Sequence, residues 1–351
     1  MKEPRLIRIP TLVRIKPGAL DRIGVYAVRH GLGRVVIFTS EVLPENITGR
    51  TRQALRDSGV EILHEQPVVE ASIGQAQALF AGLPPRTQAV LGLGGGKALD
   101  VAKYTAFLAQ VPYLSIPTSL SNDGFCSPQS SLTVSGKRRS LPSRMPFGVV
   151  VDTAVTLAAP LPLWWSGIGD LVSKVTAVHD WKLAFHACGT EVDDFAALLS
   201  DATVLQFMAR PEHDLEGHRL LATALMLNGI AMEVSGSSRP ASGSEHLMSH
   251  ALDATSRAPR LHGLQVGVAT YLMSRLQENN NTGAIAGLFD RTGFWDAFRE
   301  EPLSRAEWQE AVRIAPGIKD SYHTILSERD CLPEVESWLS GDPRLQSIFR
   351  P

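Results

Sequence analysis

The sequence predicts an α/β protein with a second, helical part. An N-terminal Rossmann-like domain with a parallel sheet is expected over residues 1–155, and an all-α domain over 156–351. Three observations carry this expectation. Short β-branched or apolar runs alternate with amphipathic stretches as far as residue 151, the pattern of a parallel sheet with crossover helices. From Ala154 onward Ala and Leu dominate at three-to-four spacing, the period of helices with one buried face. Within the first part, AVLGLGGGKALDVAKYTA sets an apolar strand, four glycines and an amphipathic helix in direct succession.

Residues 6–15 alternate loosely as a strand, and Pro17-Gly18 ends the run before a helix over 19–30. Residues 34–39 (RVVIFT) form a β-branched run of the kind covered on both faces. A helix over 47–57, a strand over 60–64 and a helix over 73–81 lead to the glycine turn. Beyond it, residues 111–116 read as another buried strand running into the hydroxyl-rich loop PTSLSNDG. Residues 131–134 and 139–141 flank Gly136 as a hairpin, and 148–151 close the first part with Asp152 at the tip. Prolines 160 and 162 break the chain near the boundary. Helices are then expected near 164–187, 191–209, 217–235, 243–256, 263–282, 304–314 and 317–328.

At 351 residues the chain exceeds one ordinary core and suits two domains. It carries 34 basic and 36 acidic residues, with no basic run longer than Lys137-Arg138-Arg139, which argues against a nucleic-acid partner. MKEPRLIRIP holds no apolar signal core and no stretch suits a membrane span, so a cytoplasmic protein is expected. Cys126, Cys188 and Cys331 lack metal-type spacing. Any metal would therefore use His and carboxylate.

Gly92, Gly94, Gly95 and Gly96 strip side chains from a strand-to-helix turn, so backbone N–H groups and the helix dipole can face a diphosphate. The turn is not the Rossmann fingerprint, because Lys97 stands where the third glycine belongs. Nor is it a P-loop, because Ala98 replaces the Mg-binding Ser or Thr. A tight turn without a ligand is the alternative reading.

The helical part holds three spots with metal-type ligands. Asp170 follows Gly167-Ile168-Gly169 at an expected helix start, His246 and His250 lie four apart on one helix face, and His262-Gly263 opens another helix. Each alone has a plain explanation: a carboxylate favoured by the helix dipole, or solvated histidines. Together, one carboxylate and two or three imidazoles can make a three-ligand site with an open position, the makeup of a catalytic Zn²⁺ or similar ion. Such an ion polarises a carbonyl, and a diphosphate cradle elsewhere in the chain would suit nicotinamide-dependent carbonyl reduction. A helical bundle with incidental histidines is the alternative.

Taken in order, the stretches GGGKALDVAK, PTSLSNDG with Ser127-Pro128, Gly169-Asp170 with TAVHDW, RPASGSEH with SHALD, HG with QVG, and YHTIL resemble the sn-glycerol-1-phosphate dehydrogenases of the iron-containing alcohol dehydrogenase and dehydroquinate synthase superfamily. The resemblance implies a dehydroquinate synthase-like fold and reversible reduction of dihydroxyacetone phosphate to sn-glycerol 1-phosphate by NADH or NADPH, a step of phospholipid biosynthesis. It implies coenzyme contacts at Gly94, Gly95, Gly96, Lys97, Asp100, Thr118, Ser119, Leu120, Ser121 and Ser127. It implies metal ligands at Asp170, His246 and His262, for zinc first, with nickel or iron as the other candidates. Asp123, Asp170 and His250 would touch substrate, with Asp123 and His250 in the catalytic set and His250 as the proton relay. A homo-oligomer, dimer or higher, is expected.

The chain departs from the family's motifs at His179, where Lys is usual, and at Leu264, where Glu is usual, both read as neighbours of the site. Those departures leave a related small phosphate, phosphonate or polyol ketone as the alternative substrate. A sugar-phosphate cyclase would need denser cations around the metal. A binding protein that had lost turnover would not be expected to keep Asp170, His246 and His262 together. No motif announces a phosphate pocket; Lys137, Arg138, Arg139, Lys174, Arg239 and Arg260 are the candidate cations for one, each read first as a solvated surface charge, and Thr39-Ser40-Glu41 decides nothing between NAD and NADP.

Overall fold

A computed structural model of the chain describes residues 6–320 and 322–350. It forms two compact units, one made of residues up to 159 together with 214–233, the other of 160–213 and 234 onward.

The first unit is built on six strands: β1 (Leu12–Lys16), β2 (Arg34–Ser40), β3 (Glu61–Val68), β4 (Ala89–Gly94), β5 (Tyr113–Pro117) and β8 (Gly148–Asp152). They lie in the order β1-β8-β5-β4-β2-β3, and every pairing is parallel. Helices α1 (Ile23–Arg29), α2 (Glu45–Asp57), α3 (Ile73–Ala81), α4 (Gly96–Ala109) and α5 (Thr153–Leu157) alternate with them. Strands β4, β5 and β8 are wholly buried, which is why they read as unbroken apolar runs. One core, around Leu55, Leu91 and Val150, packs on one side, and a second, around Phe38, Val101 and Leu132, packs on the other. After β3 the chain returns to the opposite side of β2 to lay down β4. Strand order reverses there, and in open parallel sheets such a reversal leaves a crevice at the carboxyl ends.

β6 (Gln129–Val134) and β7 (Lys137–Pro142) make the expected hairpin, with Ser135 and Gly136 both at positive φ, 50° and 75°. Strand β3 runs beyond the expected 60–64. Exposed Glu61 and Glu65's pairing with Arg52 keep this edge polar.

The expected cut at 155/156 falls inside α5, and no single cut describes the chain. Helix α9 (Leu215–Ser235) lies so close to the loop after β5 that a Cβ at Gly229 would sit 1.5 Å from the Cys126 carbonyl oxygen. His218 Nδ1 also lies 3.1 Å from Thr156 Oγ1. These contacts group residues 214–233 with the sheet.

The second unit contains α6 (Leu161–Val172), α7 (Lys174–Cys188), α8 (Asp194–Ala209), α10 (Ser244–Thr255), α11 (His262–Leu276), α12 (Thr282–Thr292), α13 (Arg305–Ile314), α14 (Ile325–Glu328), α15 (Leu332–Gly341) and α16 (Pro343–Ile348). It also holds a two-residue parallel pair, β9 (Leu303–Ser304) with β10 (Phe349–Arg350). The single helix expected over 164–187 is two, divided at Ser173, whose hydroxyl donates to the Asp170 carbonyl at 2.7 Å. The helix expected over 263–282 ends at Leu276, and Glu278 at φ 49° breaks the run before α12. Of the stretch 317–328, only α14 is an α-helix, and Ser321 lies outside the described residues. Helices α15 and α16 lie beyond the last helix expected from the sequence. Each begins with a proline in its first turn, and Asp342 caps α16 through the Arg344 and Leu345 N–H groups. No helix among the described residues is long and apolar enough to cross a membrane.

Candidate functional site

In the second unit, α6 and α11 cross at glycines. A Cβ on Gly169 would meet the Gly263 carbonyl oxygen at 2.0 Å, and one on Gly263 would meet the Ser166 carbonyl oxygen at 1.8 Å. Ser166 Oγ accepts the Gly263 N–H at 3.1 Å, which satisfies an amide of the first turn of α11. This contact brings Asp170, one residue after Gly169, beside His262, one residue before Gly263. Helix α10 supplies His246, with Nε2 3.5 Å from Asp170 Oδ1, while His262 Nε2 lies 4.0 Å from the same oxygen. One ligand atom from each of the three residues lies within 4.8 Å of the others. Three donors held about 2.1 Å from a common ion sit about 3.4 Å apart.

The backs of both imidazoles are fixed. His246 Nδ1 lies 2.8 Å from Glu245 Oε1, and His262 Nδ1 lies 3.2 Å from Ser249 Oγ. With Nδ1 engaged, each ring presents Nε2 to Asp170, the arrangement by which metal-ligating histidines are oriented. Glu245 is fully buried and held by the Gly243 N–H at 2.6 Å and the Thr176 hydroxyl at 2.9 Å. Ser249 receives Gln265 Nε2 at 3.0 Å. Burial opposes charge on Asp170, but Lys174, His246 and His262 outweigh it and hold the carboxyl below its usual range. Burial likewise opposes charge on His246, while hydrogen bonds to Asp170 and Glu245 push its basicity up. One carboxylate oxygen and two imidazole nitrogens, backed by a second buried acid, fit a divalent ion of the zinc, nickel or iron type.

Lys174 is completely buried, its Nζ 3.3 Å from Asp170 Oδ1 and 3.2 Å from the Ala241 carbonyl. Arg239 is also buried. The reading of these two as solvated charges is therefore corrected: both are interior groups. Asp180 accepts the Ser244 N–H at 2.7 Å and the Ile325 N–H at 2.9 Å, pinning the first residue of α10. Burial and then the nearby Glu245 charge push its carboxyl up to about 6. His250, one turn after His246, is partly buried with its ring centre 6.1 Å from that of His262.

In the first unit, the glycine turn lies between β4 and α4. Gly94 sits at φ 143°, and a Cβ there would come within 2.2 Å of Ser40 Oγ, which accepts the Gly95 N–H at 3.0 Å. A Cβ at Gly95 would meet nothing within 4 Å, and no side chain caps α4. An uncapped helix N-terminus opening on clear space fits an anionic diphosphate. Lys97 reaches Glu41 Oε2 at 2.6 Å and the Val69 carbonyl at 2.7 Å. Asp100 is buried and pairs with Lys103 at 3.3 Å. Burial raises its pKa despite Lys103 and Arg138. Thr118, Ser119, Ser121 and Asp123 are partly exposed on the loop after β5, while Leu120 is buried. Ser127 is also buried, 3.3 Å from Lys103 Nζ.

The profile of the iron-containing alcohol dehydrogenase family matches residues 14–160. Over 341 residues the chain is 35% identical to a glycerol-1-phosphate dehydrogenase (NAD(P)+) of Aeropyrum pernix, covering 95% of this chain and 96% of that one. It is 33% identical over 343 residues to the enzyme of the same name from Methanothermobacter thermautotrophicus, covering 96% and 98%. The chain belongs to the glycerol-1-phosphate dehydrogenase family. Its fold is similar to that of glycerol dehydrogenase from Schizosaccharomyces pombe, with TM-score 0.73 at 18% identity over 98% of this chain and 92% of that one. It is also similar to that of sulfoacetaldehyde reductase from Bifidobacterium kashiwanohense, with TM-score 0.70 at 18% identity over 97% and 100%.

Of the two departures from the motifs of this dehydrogenase family, Leu264 is buried in the first turn of α11. His179 lines a pocket of about 310 Å³ with Lys182, Asp201 and Asn279–Asn281, and none of Asp170, His246 or His262 lines it. Its expected place beside the site is thus corrected: Asp180, the next residue along α7, turns to Ser244, while His179 faces elsewhere. Sequence reasoning missed Glu245, Thr176, Ser249 and Gln265. An acid directly before a candidate histidine ligand was the available signal.

Proposed function

We propose that this dehydrogenase catalyses the reversible reduction of dihydroxyacetone phosphate to sn-glycerol 1-phosphate with NADH or NADPH. The observation that carries the reading is the meeting of Asp170, His246 and His262 around one point, in a chain of this family. In this reading those three residues hold a divalent cation, zinc first. Gly94, Gly95 and Gly96, with Lys97 and Asp100 shaping the turn, hold the coenzyme diphosphate, and Thr118, Ser119, Leu120, Ser121 and Ser127 line its nicotinamide side. When bound, the cation supplies Lewis acidity toward a carbonyl oxygen and the nicotinamide supplies a hydride.

The chain's own groups do the rest. Glu245 and Ser249 hold the two imidazoles in one tautomer, with Nε2 turned to Asp170. Lys174 keeps the Asp170 carboxylate ionised inside an apolar helix crossing. His250 holds the proton that passes to the product hydroxyl and takes it back in the reverse direction. Asp123 orients the substrate. The protein works as a cytoplasmic homo-oligomer.

The test follows NADH and NADPH oxidation with dihydroxyacetone phosphate by zinc-loaded and nickel-loaded protein, with product stereochemistry determined. Turnover lost on chelation, restored by metal and abolished in His262→Ala with unchanged circular dichroism is the expected result. Reduction of other ketones but never of dihydroxyacetone phosphate would refute the substrate. Full activity in His262→Ala would remove that residue from the ligand set.

A further inference from the structure

Buried cations elsewhere in the chain have acids: Lys103 lies 3.3 Å from Asp100 and Lys174 lies 3.3 Å from Asp170. Arg239 does not. It is 5% exposed, its Nη1 donates to the His323 carbonyl at 2.7 Å, and its guanidinium lies 3.6 Å over the Tyr322 ring. From a separate segment, Lys319 sets its ammonium 4.6 Å over the same ring. Among the described residues neither cation pairs with a carboxylate. Glu245 is the acid that Lys319 senses, but its oxygens already serve Gly243, His246 and Thr176. Burial pushes the Lys319 ammonium down to about 8, with Glu245 opposing and Arg239 adding to the fall.

A buried guanidinium and a partly buried ammonium over one aromatic plate, near a Glu245 carboxylate whose oxygens already serve other donors, are costly unless an anion completes them. A guanidinium with N–H groups to spare and an ammonium over the same ring offer charge-assisted donors of the kind a phosphate monoester takes. Tyr322 ties the pair to the metal-type cluster, because its hydroxyl donates to the Ser242 carbonyl and Ser242 leads directly through Glu245 to His246.

We propose that Arg239 and Lys319, held by Tyr322, form the subsite that takes the phosphate group of the substrate. The substrate's identity rests on the reading above, whereas the anion site stands on the two cations themselves. It makes the enzyme selective for a phosphorylated ketone over the same ketone without phosphate.

Zinc-loaded full-length protein, as wild type, Arg239→Lys and Lys319→Met, is titrated with inorganic phosphate by calorimetry. Each form is also assayed with dihydroxyacetone phosphate and with dihydroxyacetone. Losing one charge-assisted contact weakens phosphate binding about tenfold to hundredfold in Lys319→Met. In both variants the kcat/KM preference for the phosphorylated ketone falls, carried by KM. Arg239→Lys keeps the charge and loses the fork, so its loss is the smaller. Equal phosphate affinity in all three forms, or an equal loss for both ketones, overturns the proposal. NADPH affinity falling while NADH affinity holds would assign the pair to the coenzyme's 2′-phosphate and overturn it too. Phosphate bound through Lys319 by a protein that reduces no triose phosphate upholds the anion site and sinks the substrate reading alone.

Discussion

Gly263→Ala tests whether the helix crossing builds the candidate metal site. The new Cβ would lie 1.8 Å from the Ser166 carbonyl oxygen, where ordinary contact begins at 3.4 Å, so α11 has to retreat from α6 by 3.4 minus 1.8, about 1.6 Å. The obstacle is backbone, and no rotamer change relieves it. Metal sites tolerate ligand displacements of about 0.2 Å, and His262 adjoins the substituted residue while Asp170 sits on the opposing helix. Zinc affinity should fall more than tenfold, and overpacking should cost about 1–3 kcal/mol of stability. The assay is competition with a chromophoric chelator, paired with thermal unfolding of the metal-free protein. Gly287→Ala in α12 is the control: nothing lies within 4 Å of its Cβ position, so the helix should gain about 0.5–1 kcal/mol with zinc affinity unchanged. Wild-type zinc affinity and melting temperature in Gly263→Ala would refute the idea that this crossing sets the ligand spacing.

Two further outcomes follow from groups behind the site. Glu245→Gln keeps a hydrogen-bonding side chain of the same size against Thr176 and Gly243 but removes the charge behind His246; zinc affinity should drop about 10- to 100-fold with unchanged circular dichroism, and unchanged affinity would show that Glu245 only packs. Lys319, facing Arg239, Glu245 and Tyr322, is charged below about 8 and neutral above it, so its attraction for phosphate is full at lower pH and lost as pH rises through 8. Tyr322 is pushed up to about 12 and stays neutral throughout. Calorimetry with inorganic phosphate from about pH 7.5, where the dianion dominates, should show affinity falling in wild type but not in Lys319→Arg; parallel curves would count against the assignment.

Much of the sheet unit was legible because its strands are covered on both faces and therefore spell β-branched, uninterrupted runs, as in Val35–Ile37 and Val149–Val151. The metal-type trio was legible as ligand chemistry and family motif rather than as geometry. Asp170, His246 and His262 lie on three helices whose meeting depends on glycines, and a glycine in sequence does not say which backbone it admits. Helix ends in the second unit were harder, because Ala- and Leu-rich text continues across Ser173, and a hydroxyl bonded to the preceding turn is invisible to periodicity. The burial of Lys174 and Arg239 was out of reach for a related reason: a basic residue looks solvated until the group that covers it is known. Glu245 was within reach, since it directly precedes a candidate ligand.

The placement of α9 also bears on how the chain is made. Fifty-four residues of the other unit, 160–213, emerge from the ribosome before the helix that covers the 123–126 loop is translated. The nucleotide-fold half therefore cannot mature during synthesis until residue 233 has appeared, and a truncated product stopping at 159 would lack a piece of its own interior.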